Sequence, residues 1–250
     1  QPILPQALEA APKTKNFFTW ASFAERDMSK MGHEHVKTLH GTINTDDFYK
    51  LSDTKRYQLR NKFNLANSYI VGFVFRNQLR KSVPNILDGF KMFKKDCRNA
   101  KLLLHTHWKE GWDIPRLLKE KEIDPADILT TYFCQACGQY EIRPYTGEKQ
   151  TCGYCGSKES LNTTNVSAGV NEEQLNEIYN MMDVYCHPFT SGGMEIPIFE
   201  AKLTELITLV TNYSCGEDSC TPESGGLPLE WAEYREPGTQ FIKASTYASS

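Results

Sequence analysis

Apolar residues fall in short runs separated by stretches of helical period. Val36 to Leu39, Tyr69 to Phe75, Lys101 to Leu104, Ile128 to Thr131, Val184 to His187 and Leu206 to Thr211 have the length and composition of buried strands. Between them, Ile86, Leu87, Phe90 and Phe93 form one helical stripe after Pro84. Leu175, Ile178, Tyr179 and Met182 form another, opened by Asn171 with Gln174 three residues on, a variant of the capping box. Strands alternating with helices predict an α/β fold, a mostly parallel sheet with helices on both faces. In such sheets ligands bind beyond the carboxyl ends of the strands, so the loops after Phe75, Leu104, Thr131 and His187 should converge on a site.

One of those loops carries the most informative stretch of the chain. Ser191-Gly192-Gly193-Met194-Glu195-Ile196-Pro197-Ile198-Phe199-Glu200-Ala201-Lys202 sets adjacent glycines before a proline-opened helix. Strand, glycine loop and helix in that order suit an anion and a sugar. The glycines let backbone N–H groups approach a ligand, and the first N–H groups of the helix favour negative charge. A second cationic loop follows the Tyr69 strand, with Arg76, Arg80 and Lys81 ahead of Ser82 and Pro84 at a helix start. Two or three cations around a helix N-terminus suit a diphosphate, and a solvated basic loop is the plainer alternative.

The pattern Ser-x-Gly-x-x-x-Pro-x-x-Glu-Ala, then a helix and the apolar Leu206 to Asn212 segment, resembles the donor-binding signature of retaining family-4 (group 1) glycosyltransferases of the GT-B architecture. The resemblance runs from about Phe17 to the end. It implies that residues 44–250 are the C-terminal, Rossmann-like domain that binds a nucleotide-diphosphate sugar, and that residues 1–43 close the N-terminal domain and enter the hinge, with His40 and Gly41 in it. By the same resemblance Arg76 and Lys81 hold the diphosphate, with Arg80 as a substitute, Ser191, Gly192, Gly193 and Met194 cradle diphosphate and sugar, and Glu200 grips the ribose hydroxyls. The family's first glutamate should fall eight residues before Glu200, where this chain has Gly192. Either Glu195 supplies that contact from another backbone position or the loop amides do so alone. Arg76, Lys81, Glu195 and Glu200 are therefore the expected catalytic set. The implied reaction keeps the anomeric configuration and uses no catalytic divalent metal. Its acceptor is an unspecified glycan, lipid or protein, and the remainder of the N-terminal domain supplies the other groups, so this fragment alone should be inactive.

Cys134 and Cys137 form a Cys-x-x-Cys pair, Cys152 and Cys155 form another, and fourteen residues lie between them. Each pair is followed by a glycine, Gly138 or Gly156. Four thiolates in two such turns match a structural tetrahedral zinc, and a closed site of this kind leaves no position for activating water. Residues 132–161 thus read as a small zinc ribbon inserted into the sheet pattern. A disulfide framework is the alternative for a secreted chain, and the doubled spacing fits it less well. Cys186 reads as core, while Cys215 and Cys220 are a candidate loop pair. His105 and His107 flank a predicted strand end, Asp113 is placed to cap a helix, and His187 with Pro188 leads into the donor loop.

Composition narrows the partners. The 250 residues are 40% apolar and 24% charged, with a net charge of -3 and a pI near 6.1, so no global positive field draws nucleic acid. The ribbon itself holds only Arg143, Lys149 and Lys158 as cations. The longest apolar run, Tyr69 to Phe75, is far below the roughly 20 residues that span a bilayer. With no leader-like start and a cytosolic style of cysteine use, the expected location is the cytoplasm, and the chain reads as an interior piece of a longer protein. The competing reading is a catalytically inactive α/β domain whose zinc ribbon binds a protein or nucleic acid.

Overall fold

The structure, a computed structural model, describes residues 3, 5–165 and 167–230; Val166 and residues 231–250, the end of the expected donor domain, lie outside the described residues. Six strands run parallel: β3 (Tyr69–Val74), β4 (Ala100–His105), β5 (Ile128–Cys134), β8 (Val184–His187), β9 (Thr208–Thr211) and β10 (Gly226–Leu229). Their order is β10-β9-β8-β3-β4-β5, and β6 (Tyr140–Pro144) and β7 (Leu161–Thr163) pair antiparallel with β5. The expected α/β class with a mostly parallel sheet holds.

Alternation along each strand divides two cores. Ile70 and Val74 of β3, Leu103 of β4, Tyr185 of β8 and Val210 of β9 face α3 (Asp53–Lys62), α6 (Glu172–Asn180) and α7 (Ile196–Leu203), where Leu59, Ile178, Tyr179, Ile198 and Ala201 meet them. Phe73, Leu102, Leu104 and Cys186 face the other way, onto Ile86, Leu87 and Phe90 of α4 (Val83–Asp96) and Ile114 and Leu118 of α5 (Ile114–Glu120). Each such side chain, taken fully from water, contributes on the order of 1.5–3 kcal/mol. Polar pairing locks the layers together: Asp183, before β8, accepts from Ile70 N at 2.7 Å and from Arg60 at 3.1 Å, fastening α3 to the sheet.

Several elements depart from the sequence reading. Helix α3 is almost wholly polar, with Leu59 its one buried apolar side chain, and it starts on Ser52, which accepts from Lys55 N at 3.3 Å. Near the amino end, α1 (Pro5–Ala10) and α2 (Ser22–Lys30) accompany a two-residue parallel pair, β1 (Phe18–Thr19) with β2 (Lys37–Thr38). The ribbon does not interrupt the sheet after Thr131. Strand β5 continues to Cys134, and the ribbon's strands extend the sheet edge.

Candidate donor site and thiolate cluster

At the carboxyl ends of β3 and β8 the chain buries a charged cluster. Lys81, just ahead of α4, and Glu195, just ahead of α7, form an ion pair in which their side chains are 3% and 5% exposed. Arg80 pairs with the other oxygen of Glu195 and donates to Ser191 O at 2.8 Å. Lys81 also reaches Nε2 of His187, the last residue of β8, at 3.0 Å. With that nitrogen accepting, Nδ1–H donates to Tyr185 Oη at 2.7 Å, and the phenol donates to Val74 O at 3.1 Å. The imidazole N–H and the phenol O–H between Lys81 and Val74 then each have an acceptor.

Burial shapes the ionisation here. It brings the Lys81 ammonium down to about 8 against the pull of Glu195, and brings His187 down to about 4, with Lys81 adding to the effect. Burial opposes ionisation of Glu195, but the cluster around it, with Lys81 and Arg80 as its cations, holds its carboxyl well below the usual carboxylate range. At neutral pH the cluster therefore carries two cations, one anion and a neutral imidazole.

Gly192 explains how Glu195 reaches this position. A Cβ at residue 192 would lie 2.6 Å from Glu195 Oε1 and 3.0 Å from Cys215 Sγ. The carboxylate of Glu195 occupies the space that a side chain from position 192 would enter. Met194, in the same loop, packs its thioether onto Gly41 beside Trp20, so the segment around residue 41 touches the glycine loop. A cavity of about 370 Å³ opens between that amino-terminal segment and the loop, with Phe17, Phe23 and Met28 on one side and Arg80, Ser191, Gly192 and Gly193 on the other.

The remaining expected residues line two further cavities. Glu200, in the second turn of α7, accepts from Tyr179 Oη at 2.7 Å and borders a space of about 310 Å³ with Asn171, Glu172 and Leu175. Burial raises its pKa, opposed by the Tyr179 bond. Arg76 lies elsewhere, 3.5 Å from Glu110, on a cavity of about 230 Å³ that includes Thr106, His107 and Asn165. Val170 and Leu175 line both cavities. It is thus Arg80, rather than Arg76, that stands beside Lys81 and the glycine loop.

Two functional candidates escaped the sequence reading. Ser82 and Thr106 are 4% and 2% exposed, and their hydroxyls have no hydrogen-bond partner among the described residues. Ser82 adjoins Lys81, and Thr106 lines the Arg76 cavity. An unmet buried hydroxyl costs about 1–3 kcal/mol, which a polar ligand or water would relieve. His105 is internally satisfied, with Nδ1 3.0 Å from Thr131 Oγ1, and Asp113 caps α5 by accepting from Arg116 N at 3.1 Å.

The cysteines converge as the spacing required. Cys134, Cys137, Cys152 and Cys155 bring their sulfurs within 4.8 Å of one another, with Cys134 to Cys155 and Cys137 to Cys152 each 3.8 Å. A tetrahedron of thiolates at a zinc–sulfur distance of about 2.3 Å has edges of about 3.8 Å, so these side chains fit zinc. Gly138 and Gly156 adopt φ of +72° and +71° and donate to Cys134 O and Cys152 O at 2.9 Å, closing the two knuckles. Cys215 faces Gly192 whereas Cys220 donates to Asn212 Oδ1 at 3.3 Å, so the candidate loop pair is divided between different partners.

The sequence matches no family model and no curated protein. Solved structures do resemble it. HepE of Anabaena, in complex with UDP-glucose, superposes with a TM-score of 0.60 at 12% identity over 86% of this chain and 50% of its own. Sucrose-phosphate synthase of Thermosynechococcus elongatus gives 0.61 at 15% identity, covering 90% of this chain and 48% of that one. WaaG, a glycosyltransferase involved in lipopolysaccharide biosynthesis, gives 0.59 at 13% identity over 86% and 49%. This chain spans about half the length of each. Among the described residues no helix is long and apolar enough to cross a membrane. At these identities the likeness establishes the fold: a mostly parallel α/β sheet of the kind found in GT-B glycosyltransferases.

Proposed function

We propose that this chain is the nucleotide-sugar-binding part of a retaining glycosyltransferase, which moves a sugar from a nucleotide-diphosphate sugar to a glycan, lipid or protein acceptor. The observation that carries the reading is the cluster of Arg80, Lys81 and Glu195 against the glycine loop, at the strand ends of a fold shared with a protein solved with UDP-glucose. Glu200, held in place by the buried Tyr179 hydroxyl, binds the ribose in one cavity, and the adjoining cavity with Arg76, Thr106 and His107 takes the rest of the nucleoside. The diphosphate lies between them and the loop, against Arg80, Lys81, the Ser82 hydroxyl and the start of α4. As the glycosidic bond breaks, negative charge grows on the departing diphosphate, and cations already fixed beside it lower that barrier. Glu195 supplies from a shifted backbone position the carboxylate that Gly192 lacks. Acceptor groups come from the remainder of the first domain, and the chain acts in the cytoplasm. The four thiolates hold a structural zinc whose coordination is closed.

Titrating UDP, GDP and ADP into the purified chain tests the reading. Saturable binding of one of them, weakened at least about tenfold by Arg80→Ala and by Glu200→Gln, is the expected result, since each removes a charged hydrogen bond. Binding that neither variant weakens defeats the assignment.

One observation favours a second reading, an inactive domain that binds a partner through its ribbon. Lys81 is already neutralised by Glu195. Turnover of a nucleotide sugar by the full-length protein decides between the two.

A further inference from the structure

The thiolate ribbon is fastened to the helix that carries the partner of Glu200. In the first knuckle Gly138 O accepts from Gln174 Nε2 at 2.9 Å, and two residues on Tyr140 donates to Glu177 Oε2 at 2.8 Å. Both partners belong to α6. Gln174 serves twice, because its Oε1 also accepts from Asn171 N at 3.2 Å and closes the capping box. Further along the same helix Tyr179 donates to Glu200 at 2.7 Å, while Asn171, Glu172 and Leu175 form one wall of the Glu200 cavity. On the ribbon's other flank, the Lys62 ammonium of α3 sits 5.1, 5.4 and 5.6 Å from the rings of Phe63, Tyr140 and Tyr154. The ribbon is thus clamped between α3 and α6, and none of its residues lines the Glu200 cavity.

The ribbon's own core is small. Tyr132, Cys134, Cys152 and Leu161 are its fully buried members, two of them thiol ligands. Tyr140 and Ile142 join the main core and β6 and β7 pair with β5, so the ribbon's strands are anchored on the sheet, while its two knuckles, with few buried side chains of their own, depend on the metal.

We propose that zinc bound by Cys134, Cys137, Cys152 and Cys155 sets the position of Glu200 through Gln174, Tyr140 and α6, so that nucleotide binding depends on a metal that touches no part of the nucleotide. This rests on the donor-site reading for the role of Glu200. The coupling itself rests only on the contacts between ribbon and helix.

The experiment uses the full chain in four forms: zinc-loaded, stripped with a chelator, Cys137→Ser, and the double variant Tyr140→Phe with Gln174→Glu. The last keeps all four ligands. Glutamate at 174 still accepts from Asn171 N but loses the donor to Gly138 and sets a carboxylate oxygen against that carbonyl, which parts helix from knuckle, and phenylalanine at 140 loses only the hydroxyl. Metal content, amide exchange along α6, and affinity for UDP, GDP and ADP are measured on each.

Stripping or Cys137→Ser should speed exchange in α6 about tenfold, leave β3 and β4 unchanged, and weaken nucleotide binding about tenfold, with zinc restoring the stripped chain. The double variant should retain about one zinc per chain and show the same weaker binding and faster exchange. Exchange in α6 that ignores both stripping and the double variant overturns the inference, whatever the nucleotides do. Should stripping unfold the whole chain, the double variant alone decides. Failure of the zinc-loaded chain to bind any of the three nucleotides overturns the donor-site reading instead, and the exchange result still judges the coupling.

Discussion

Replacing Glu195 with glutamine keeps the shape of the buried cluster and removes its one anion. Lys81, 3% exposed, then stands beside Arg80 with no counter-charge. Breaking a buried pair from one side costs about 3–5 kcal/mol. The lysine has an escape, because burial already brings it down to about 8, and losing the carboxylate that opposes burial brings it lower still. At pH 7, giving up a proton from an ammonium whose ordinary value is 10.5 spans 3.5 pH units, so the penalty is capped at about 5 kcal/mol. The sign of the pH dependence follows. Unfolded chains keep this proton up to about pH 10.5, while the folded variant releases it at a lower pH than the wild type, so wherever the variant has released it the unfolded state binds more protons and the variant gains up to about 1.4 kcal/mol per pH unit. Folded wild-type protein stays protonated until about pH 8 and gains nothing from Lys81 below that. The deficit of the variant should therefore shrink between pH 7 and 8, by at most about 1 kcal/mol because the wild type itself begins to gain near pH 8, then level off as both proteins gain together. Urea unfolding of both proteins at pH 7, 8 and 9 measures it. A deficit below about 1 kcal/mol at pH 7, the range of exposed pairs, or one that does not change between pH 7 and 8, refutes a buried ammonium–carboxylate pair.

The donor loop offers a companion test. Gly192→Ala puts a methyl 2.6 Å from Glu195 Oε1 and should lower stability by about 1–3 kcal/mol in thermal melts. Moving the carboxylate, with Gly192→Glu and Glu195→Gly together, should restore more nucleotide affinity than either change alone, and additive losses would count against a relocated carboxylate. Nucleotide affinity should be flat up to about pH 8 and fall above it as Lys81 loses its charge, so titrations that agree at pH 7 and 9.5 remove Lys81 from the binding set. Tyr179→Phe takes away the bond that counters the burial of Glu200, so its pKa rises further; nucleotide binding should weaken about fivefold at pH 7.5 and more at pH 5.5. A loss that is the same at both pH values contradicts an ionised Glu200 as the contact.

Elements whose physics is local were legible from the sequence. Five of the six apolar runs became strands of the central sheet because each is largely buried, which leaves little polar alternation to misread, whereas Val36 to Leu39 gave only the two-residue β2 with Leu39 exposed, and the edge strand β10 matched none of the runs. Asn171 with Gln174 and Asp113 cap helices through bonds spanning three residues, and the two Cys-x-x-Cys turns fix their sulfurs within a few residues of backbone. Helix α3 was hidden by the same logic. Its sequence, Asp-Thr-Lys-Arg-Tyr-Gln-Leu-Arg-Asn-Lys, shows no apolar stripe, and Arg56 and Arg60 hold it to Asp183 across more than a hundred residues. In the ribbon, Tyr140 and Ile142 are buried and Glu141 and Arg143 less so, an alternation that was available but lay under the cysteine frame.

The candidate site was legible in composition and not in direction. Arg76 and Arg80 lie on one loop, where no periodicity tells which side chain turns inward. Gln78 decides in part, since its Oε1 accepts from Arg80 Nε at 3.0 Å and steadies the guanidinium that reaches Ser191. Glu195 shows the limit most clearly. A motif counted by position registers a missing glutamate at 192 and a surplus one three residues later. In space the two positions meet, because the absence of a side chain at Gly192 leaves the room that the carboxylate of Glu195 fills, and under the proposed function they are one substitution. Charge in a buried site is constrained by where it sits among its partners, here Lys81, Arg80 and His187, and the backbone position that delivers it is free to shift so long as a neighbouring glycine gives way.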